Sequence, residues 1–352
     1  MRFGIMTQLQ TPRPWSDQRD WSAYQNALEQ GESAEKHGFE YFWITEQHFF
    51  SEIGHCACSE MFLAALSQRT TKLRMGLGVV VLPLHHPFNV AERVATLDVL
   101  SSGRVEFGSG RGTTPYIVEG FGLDPQKSRA AGNESLQAVL RMFEEDPFTG
   151  FAGEHFELPA RHVIPKPVQL PHPPLWVAAT NLETYEHAAR QGVGVIGVTR
   201  NSHAETRKAI ETYRSISRSQ IAPTVSRCRN ENVAVFGITC CDSDDAVGKG
   251  TACAAARWYY GDNDAELNHL RFATAGGVDK IKQRISAMSD DDLIDAGMAL
   301  GGNPETLCRQ VEGWAATGID QMIFMIQAGK ATHAQVMRSI ELIGHEVIPR
   351  FQ

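Results

Sequence analysis

The chain has 352 residues, of which 42% are hydrophobic and 21% charged, with a formal net charge of −8 and seven cysteines. That length and apolar fraction supply a large core, in one barrel-sized domain or two smaller ones, and the acidic balance without a basic stripe argues against nucleic acid. No apolar run approaches membrane-spanning length, and Cys56-Ala57-Cys58 and Cys240-Cys241 are too closely spaced for an ordinary disulfide framework, so reduced thiols in a cytoplasm are expected.

Arg2–Leu9 reads as a first strand rather than an export signal. Helical spacing predicts Trp21–His37, stopped by Gly38, and Glu40–Thr45 follows as strand two. Ser59–Arg69 is the second helix, and Leu73–Leu82 an apolar, β-branched strand containing Gly76 and Gly78. Pro83, His86 and Pro87 then break the chain. Val90, Val94, Leu97 and Leu100 set the face of a third helix, Phe88–Leu100, which Ser101-Ser102-Gly103 ends. Arg104–Ser109 is strand four, and Thr113–Pro125 a loop. After helix four, Ser128–Phe143, come a short hairpin over Phe151–Leu158 and an extended segment, Pro159–Pro174. Strand five is Leu175–Ala179, helix five Asn181–Gln191, strand six Val193–Gly197, helix six His203–Ser219, strand seven Asn232–Ile238 and helix seven Asp242–Tyr260. An irregular insert, Asp262–Gly302, precedes helix eight, which opens at Asn303-Pro304-Glu305 and stops at Gly318. Ile319–Ile326 is strand eight, and Ala331–Phe351 closes the chain. Strands alternating with helices throughout favour a single (β/α)8 barrel over residues 1–352 rather than an open doubly wound sheet.

Polar residues gather where strands leave such a barrel. Glu46, Gln47 and His48 stand together after strand two, either as a working face or as a polar loop start bonded to nearby backbone. Arg111, between Gly110 and Gly112, offers a fork of donors for a phosphate or for a carboxylate partner. Thr180 and Asn181 precede helix five, where a helix N-terminus makes an anion site and where plain N-capping is equally natural. Gly78-Val79 is read from sequence as a strand position needing close packing. Trp258, in the run Arg257-Trp258-Tyr259-Tyr260, fits core first and a ring-stacking role second. The histidines and cysteines lack metal-ligand spacing, so no metal site is expected.

The run Leu82-Pro83-x-x-His86-Pro87, Leu97-Asp98, Ser102-Gly103-Arg104 and Phe107-Gly108-x-x-Arg111-Gly112 resembles the flavin-dependent luciferase-like monooxygenases, including the bacterial luciferase α subunit. The likeness extends to strands two and five, Asn303-Pro304-Glu305 and Gly318-Ile319-Asp320, and implies the same barrel. It implies reduced FMN as a dissociable substrate, supplied by a separate NAD(P)H:flavin reductase because no dinucleotide fingerprint is present. It also implies O2 as co-substrate, activated as a flavin C4a-(hydro)peroxide that oxygenates a small organic molecule by hydroxylation or Baeyer–Villiger-type insertion. By the same resemblance, Arg111, Thr180 and Asn181 hold the phosphate. Gly78 and Val79, often joined by a cis peptide in that family, bulge against the flavin with Gly110, and Trp258 packs near the ring. Residues 273–302 match a mobile loop and suggest a lid.

The chain also departs from the family. Gln47 replaces the first histidine of a Glu-His-His pattern, leaving His48 as the candidate base, because an amide takes no proton near neutral pH. Gly110 replaces a cysteine near the flavin, which implies a larger cavity, and Ala179 replaces a glutamate at the phosphate. Barrels of this family commonly dimerise, so a homodimer is expected. The rivals are an F420-dependent hydride-transfer enzyme on the same barrel, a non-catalytic partner subunit like luciferase β, and a metal-dependent barrel hydrolase.

Overall fold

A computed structural model describes residues 1–112, 114–220, 222–263 and 278–352. The first half of the chain alternates β1 (Arg2–Thr7), α1 (Arg19–Lys36), β2 (Tyr41–Ile44), α2 (Ser59–Ser67), β3 (Arg74–Val81), α3 (Pro87–Leu100) and β4 (Val105–Gly110). Next come a short helix α4 (Pro115–Gly120), α5 (Ser128–Glu144) and a hairpin of β5 (Phe151–Ala152) and β6 (Glu157–Leu158). The chain continues through β7 (Leu175–Ala178), α6 (Leu182–Gln191), β8 (Gly194–Val198), α7 (His203–Ser219), β9 (Val233–Cys241) and α8 (Asp245–Arg257). The final part holds α9 (Val278–Ser286), α10 (Asp290–Asp295), β10 (Leu300–Gly302), α11 (Pro304–Ala315), β11 (Gln321–Met325) and α12 (His333–Leu342).

Eight parallel strands, in the order β11-β1-β2-β3-β4-β7-β8-β9, close into a (β/α)8 barrel through the β8–β9 and β9–β11 pairings. Strands covered on both faces need apolar side chains on both, which is why β2 (Tyr-Phe-Trp-Ile) and β11 (Gln-Met-Ile-Phe-Met) are buried at every position. One apolar layer lies between strands and helices, where Leu63, Val94 and Phe107 are wholly buried. A second fills the barrel axis, with Trp43 edge-on to Trp176 at 5.3 Å.

Three features depart from the sequence expectation. The loop expected over Thr113–Pro125 contains α4, opened by Pro115 at its first turn. The seventh helix stops at Arg257, and Trp258–Asp262 form a wide π-type turn. The insert carries a ninth strand: β10 lengthens the sheet by pairing with the far end of β9, from Leu300 opposite Thr239 to Gly302 opposite Cys241. Of the lid expected over residues 273–302, residues 273–277 lie outside the described residues; the remainder form α9, α10 and β10. Among the described residues no helix is long and apolar enough to cross a membrane.

Candidate active site

A cavity of about 890 Å³ opens at the carboxyl ends of β2, β3, β4 and β7, the end at which barrels of this kind place their chemistry. Nine of the ten residues singled out from sequence line it: Glu46, Gln47, His48, Gly78, Val79, Gly110, Arg111, Thr180 and Asn181. Trp258 does not. It is buried at 6% exposure in the axial cluster, where the π-type turn points the aromatic run into core.

The floor is made by an irregularity in β3. The Gly78–Val79 peptide is cis, and the register against β4 jumps between Leu77 and Val80. The bulge turns backbone and side chain toward β4, where two glycines make room for it. A Cβ at Gly108 would stand 2.0 Å from the Leu77 carbonyl oxygen, and one at Gly110 would stand 2.4 Å from Val79 Cγ2. Gly110 therefore does not leave the free space expected from sequence; the Val79 side chain occupies it.

The polar wall is built on Glu46, which follows β2. Its carboxylate is buried, with the Oε1 atom 2.8 Å from His48 Nε2 and 2.9 Å from His85 Nε2, while Oε2 accepts the Val81 amide N–H at 2.9 Å. Burial pushes the carboxyl up, but the hydrogen bonds from His48 and His85, with that amide, outweigh it and hold Glu46 below the usual carboxylate range. His48 is further fixed by the Phe121 ring, edge-on at 4.9 Å, at the end of α4. Gln47 is anchored by its backbone, its N–H donating to the Cys56 carbonyl at 2.8 Å. Beside these, the Thr45 hydroxyl is buried on the cavity wall and has no hydrogen-bond partner among the described residues.

The opposite end is cationic. Arg111 follows β4 and is exposed, and among the described residues it makes no hydrogen bond or ion pair. Partial burial and the charge of Arg129 pull its guanidinium below its ordinary value, while Glu183 works the other way. Arg129 approaches Glu183 at 4.0 Å, and both are exposed. Asn181 caps α6, its Oδ1 accepting the Thr184 amide at 3.0 Å and the Thr184 hydroxyl at 2.9 Å. It thus serves the capping role and still stands at the cavity rim. Arg129, Asn133 and Leu136 of α5 and Glu183, His187 and Gln191 of α6 recur at helical spacing and all line the cavity, which therefore continues outward as a slot between these two helices.

Sequence reasoning missed His85, Arg129 and Thr45. His85 lies within a motif already singled out, but only the three-residue turn Leu82–Leu84 brings it back to Glu46. Arg129 carried no local signal, because which face of α5 meets the cavity is a matter of packing. Among the described residues, no group of three or more His, Cys, Asp or Glu is placed to hold a metal ion.

Residues 1–321 match the family described as luciferase-like monooxygenase. An uncharacterized protein of Sinorhizobium fredii is 35% identical over 172 residues, 49% of this chain and 50% of its own length. Limonene 1,2-monooxygenase of Rhodococcus erythropolis is 27% identical over 96% of this chain and 84% of its own. The oxygenase component of flavin-dependent trigonelline monooxygenase from Acinetobacter baylyi is 25% identical over 100% of this chain and 96% of its own. Among solved structures, a monooxygenase from Streptomyces bottropensis superposes with a TM-score of 0.80 at 23% identity, covering 100% of both chains. The oxygenating constituent of 3,6-diketocamphane monooxygenase from Pseudomonas putida, in complex with FMN, also reaches 0.80, at 16% identity and coverage of 100% and 99%. The F420-dependent tetrahydromethanopterin reductase of Methanopyrus kandleri reaches 0.73 at 21% identity, with coverage of 100% and 99%. At these identities the superpositions establish the barrel and leave the cofactor open.

Proposed function

Because the chain belongs to the luciferase-like monooxygenase family, we propose that it is the oxygenase of a two-component system that uses FMNH2 and O2 to oxygenate a small organic substrate. The observation that carries this reading is the division of one cavity into an exposed guanidinium, without a partner among the described residues, at one end and a buried carboxylate–imidazole pair at the other. FMN needs the same division, with an anion at its tail and a polar, redox-active ring at its head.

The residues present fit that group. Arg111, with Arg129 and the N-terminus of α6 capped by Asn181, would hold the phosphate. The bulge at Gly78-Val79, with Gly110 beside it, would form the bed for the ring, and the Thr45 hydroxyl, without a partner among the described residues, would meet its polar edge. Reduced flavin supplies the electrons with which O2 is activated. The protein's share is orientation, dry walls and proton handling. His48 faces the cavity with one ring nitrogen committed to Glu46, so the other is available to accept a proton from substrate. Gln47 supplies a neutral amide at the same wall. A separate NAD(P)H:flavin reductase would deliver the FMNH2, a reading supported by a relative whose name describes an oxygenase component.

An anaerobic titration with FMNH2, followed by mixing with oxygenated buffer, tests this. Binding is expected, and Arg111→Ala should weaken it by about 10- to 100-fold, the worth of one charge-assisted contact. No binding by the wild-type chain would overturn the FMN assignment. Binding of reduced F420 in its place would turn the reading to hydride transfer, and binding of neither would favour a partner-subunit role.

A further inference from the structure

Glu46 is shared. One oxygen, Oε1, serves both His48 and His85, at 2.8 Å and 2.9 Å, and these rings come from two different segments, one following β2 and one following the turn after β3. An ionised carboxylate only accepts, so each ring turns an Nε2–H toward it and each neutral ring keeps its lone pair on Nδ1. Among the described residues nothing hydrogen-bonds to either Nδ1. Side-chain exposure is 2% for Glu46, 10% for His48 and 17% for His85, so all three sit where charge is poorly screened.

We infer that His48, Glu46 and His85 form a single acid–base unit, in which His85 acts as a positioning residue and governs through the shared carboxylate how firmly His48 holds a proton. The inference rests on the reading of His48 as the base of the proposed monooxygenase. When His48 Nδ1 takes a proton, its Nε2–H stays on Oε1 and the imidazolium is neutralised by the carboxylate. A second proton, on His85 Nδ1, would set two imidazolium rings against one negative charge. A proton on one ring is therefore felt by the other through the oxygen they share.

Gln47 beside the two rings is neutral, and Phe121 from the end of α4 is apolar. The charged group on the Cys56 side is Glu60, which pairs with Arg93 at 3.6 Å. The Cys56 thiol, whose backbone carbonyl anchors Gln47, is pushed up by burial and stays protonated. The arrangement also accounts for a departure noted in the sequence. Where the family pattern has two adjacent histidines, this chain has Gln47-His48, and its second imidazole arrives from position 85.

The test is an NMR titration of the full chain labelled with 15N-histidine, which reads ring tautomer and protonation directly, without cofactor. The expected wild-type result is the Nε2–H tautomer for both rings and two-step curves. His85→Gln, which keeps an N–H for Glu46 but cannot titrate, should leave His48 with a single step. Glu46→Gln should lower both midpoints by about one pH unit or more and uncouple them. A His48 curve unchanged by His85→Gln, or either ring found as the Nδ1–H tautomer in the wild type, would overturn the inference. Should the wild type fail to bind FMNH2, the functional reading falls while the ring coupling is still judged on these curves.

Discussion

Two buried carboxylates, at opposite ends of the same barrel, show how differently one side chain is used. Glu106 points into the axis from β4 and meets the Arg74 guanidinium and the Trp176 indole N–H. Glu46 stands at the mouth and meets two imidazoles and an amide. Burial pushes Glu106 up, and Arg74 and Trp176 pull it back without cancelling the push. At Glu46 the balance of the same forces runs the other way. The partners of Glu106 have fixed protonation, so that site serves as internal scaffolding. Those of Glu46 include two imidazoles, which can take up and release protons, so that site can work on a substrate.

The sharpest way to break this comparison is to remove one member of the axial pair. Glu106→Leu strands a largely buried Arg74 and should cost about 3–5 kcal/mol in denaturant unfolding. The double variant Glu106→Leu/Arg74→Leu should recover most of that loss, because deleting both charges removes the desolvation penalty along with the attraction. A double variant no better than the single would show that Arg74 is satisfied by its other partners, Gln169 and the Val105 carbonyl.

A smaller effect, about 1–3 kcal/mol, is expected for Gly110→Ala, whose methyl would collide with Val79. Adding Val79→Ala should relieve it. Melting curves of the three variants measure both steps, and failure of the second substitution to rescue would mean that the bulge itself is rigid.

The smallest effect is in pH. Glu46 has a folded pKa below its unfolded value, so its contribution is complete at neutral pH and fades as pH falls below about 4.3 through the folded value. Glu106, with a raised folded pKa, has the opposite slope: stability falls as pH rises above about 4.3 toward that value. Glu46→Gln should therefore flatten the acid limb of the stability curve, below about pH 4.3, by about 1 kcal/mol. A variant whose acid limb matches the wild type would place the acid sensitivity elsewhere.

The barrel was legible because each strand announces itself by an apolar run and each helix by its spacing and stop, as at Leu97, Leu100 and Gly103. The cavity rim was legible for a related reason: residues that follow a barrel strand face the same end. What was not legible depends on where separate segments meet. His85 needed a turn, Arg129 a helix orientation, and the contact between Gly110 and Val79 a shift of register. At Trp258 the sequence favoured core over ring-stacking, and the π-type turn, which no local signal announced, sets that side chain in the axial cluster.

The slot between α5 and α6 bears on timing. A carrier gripped by its charged tail at an exposed rim, as Arg111 and Arg129 would grip it, is held at the doorway rather than the back of the room. Its residence time is then set by two solvent-facing guanidinium groups, whose hold loosens with ionic strength. In a relay between two enzymes, salt would act as a clock on the handover, shortening each visit without altering the chemistry performed during it.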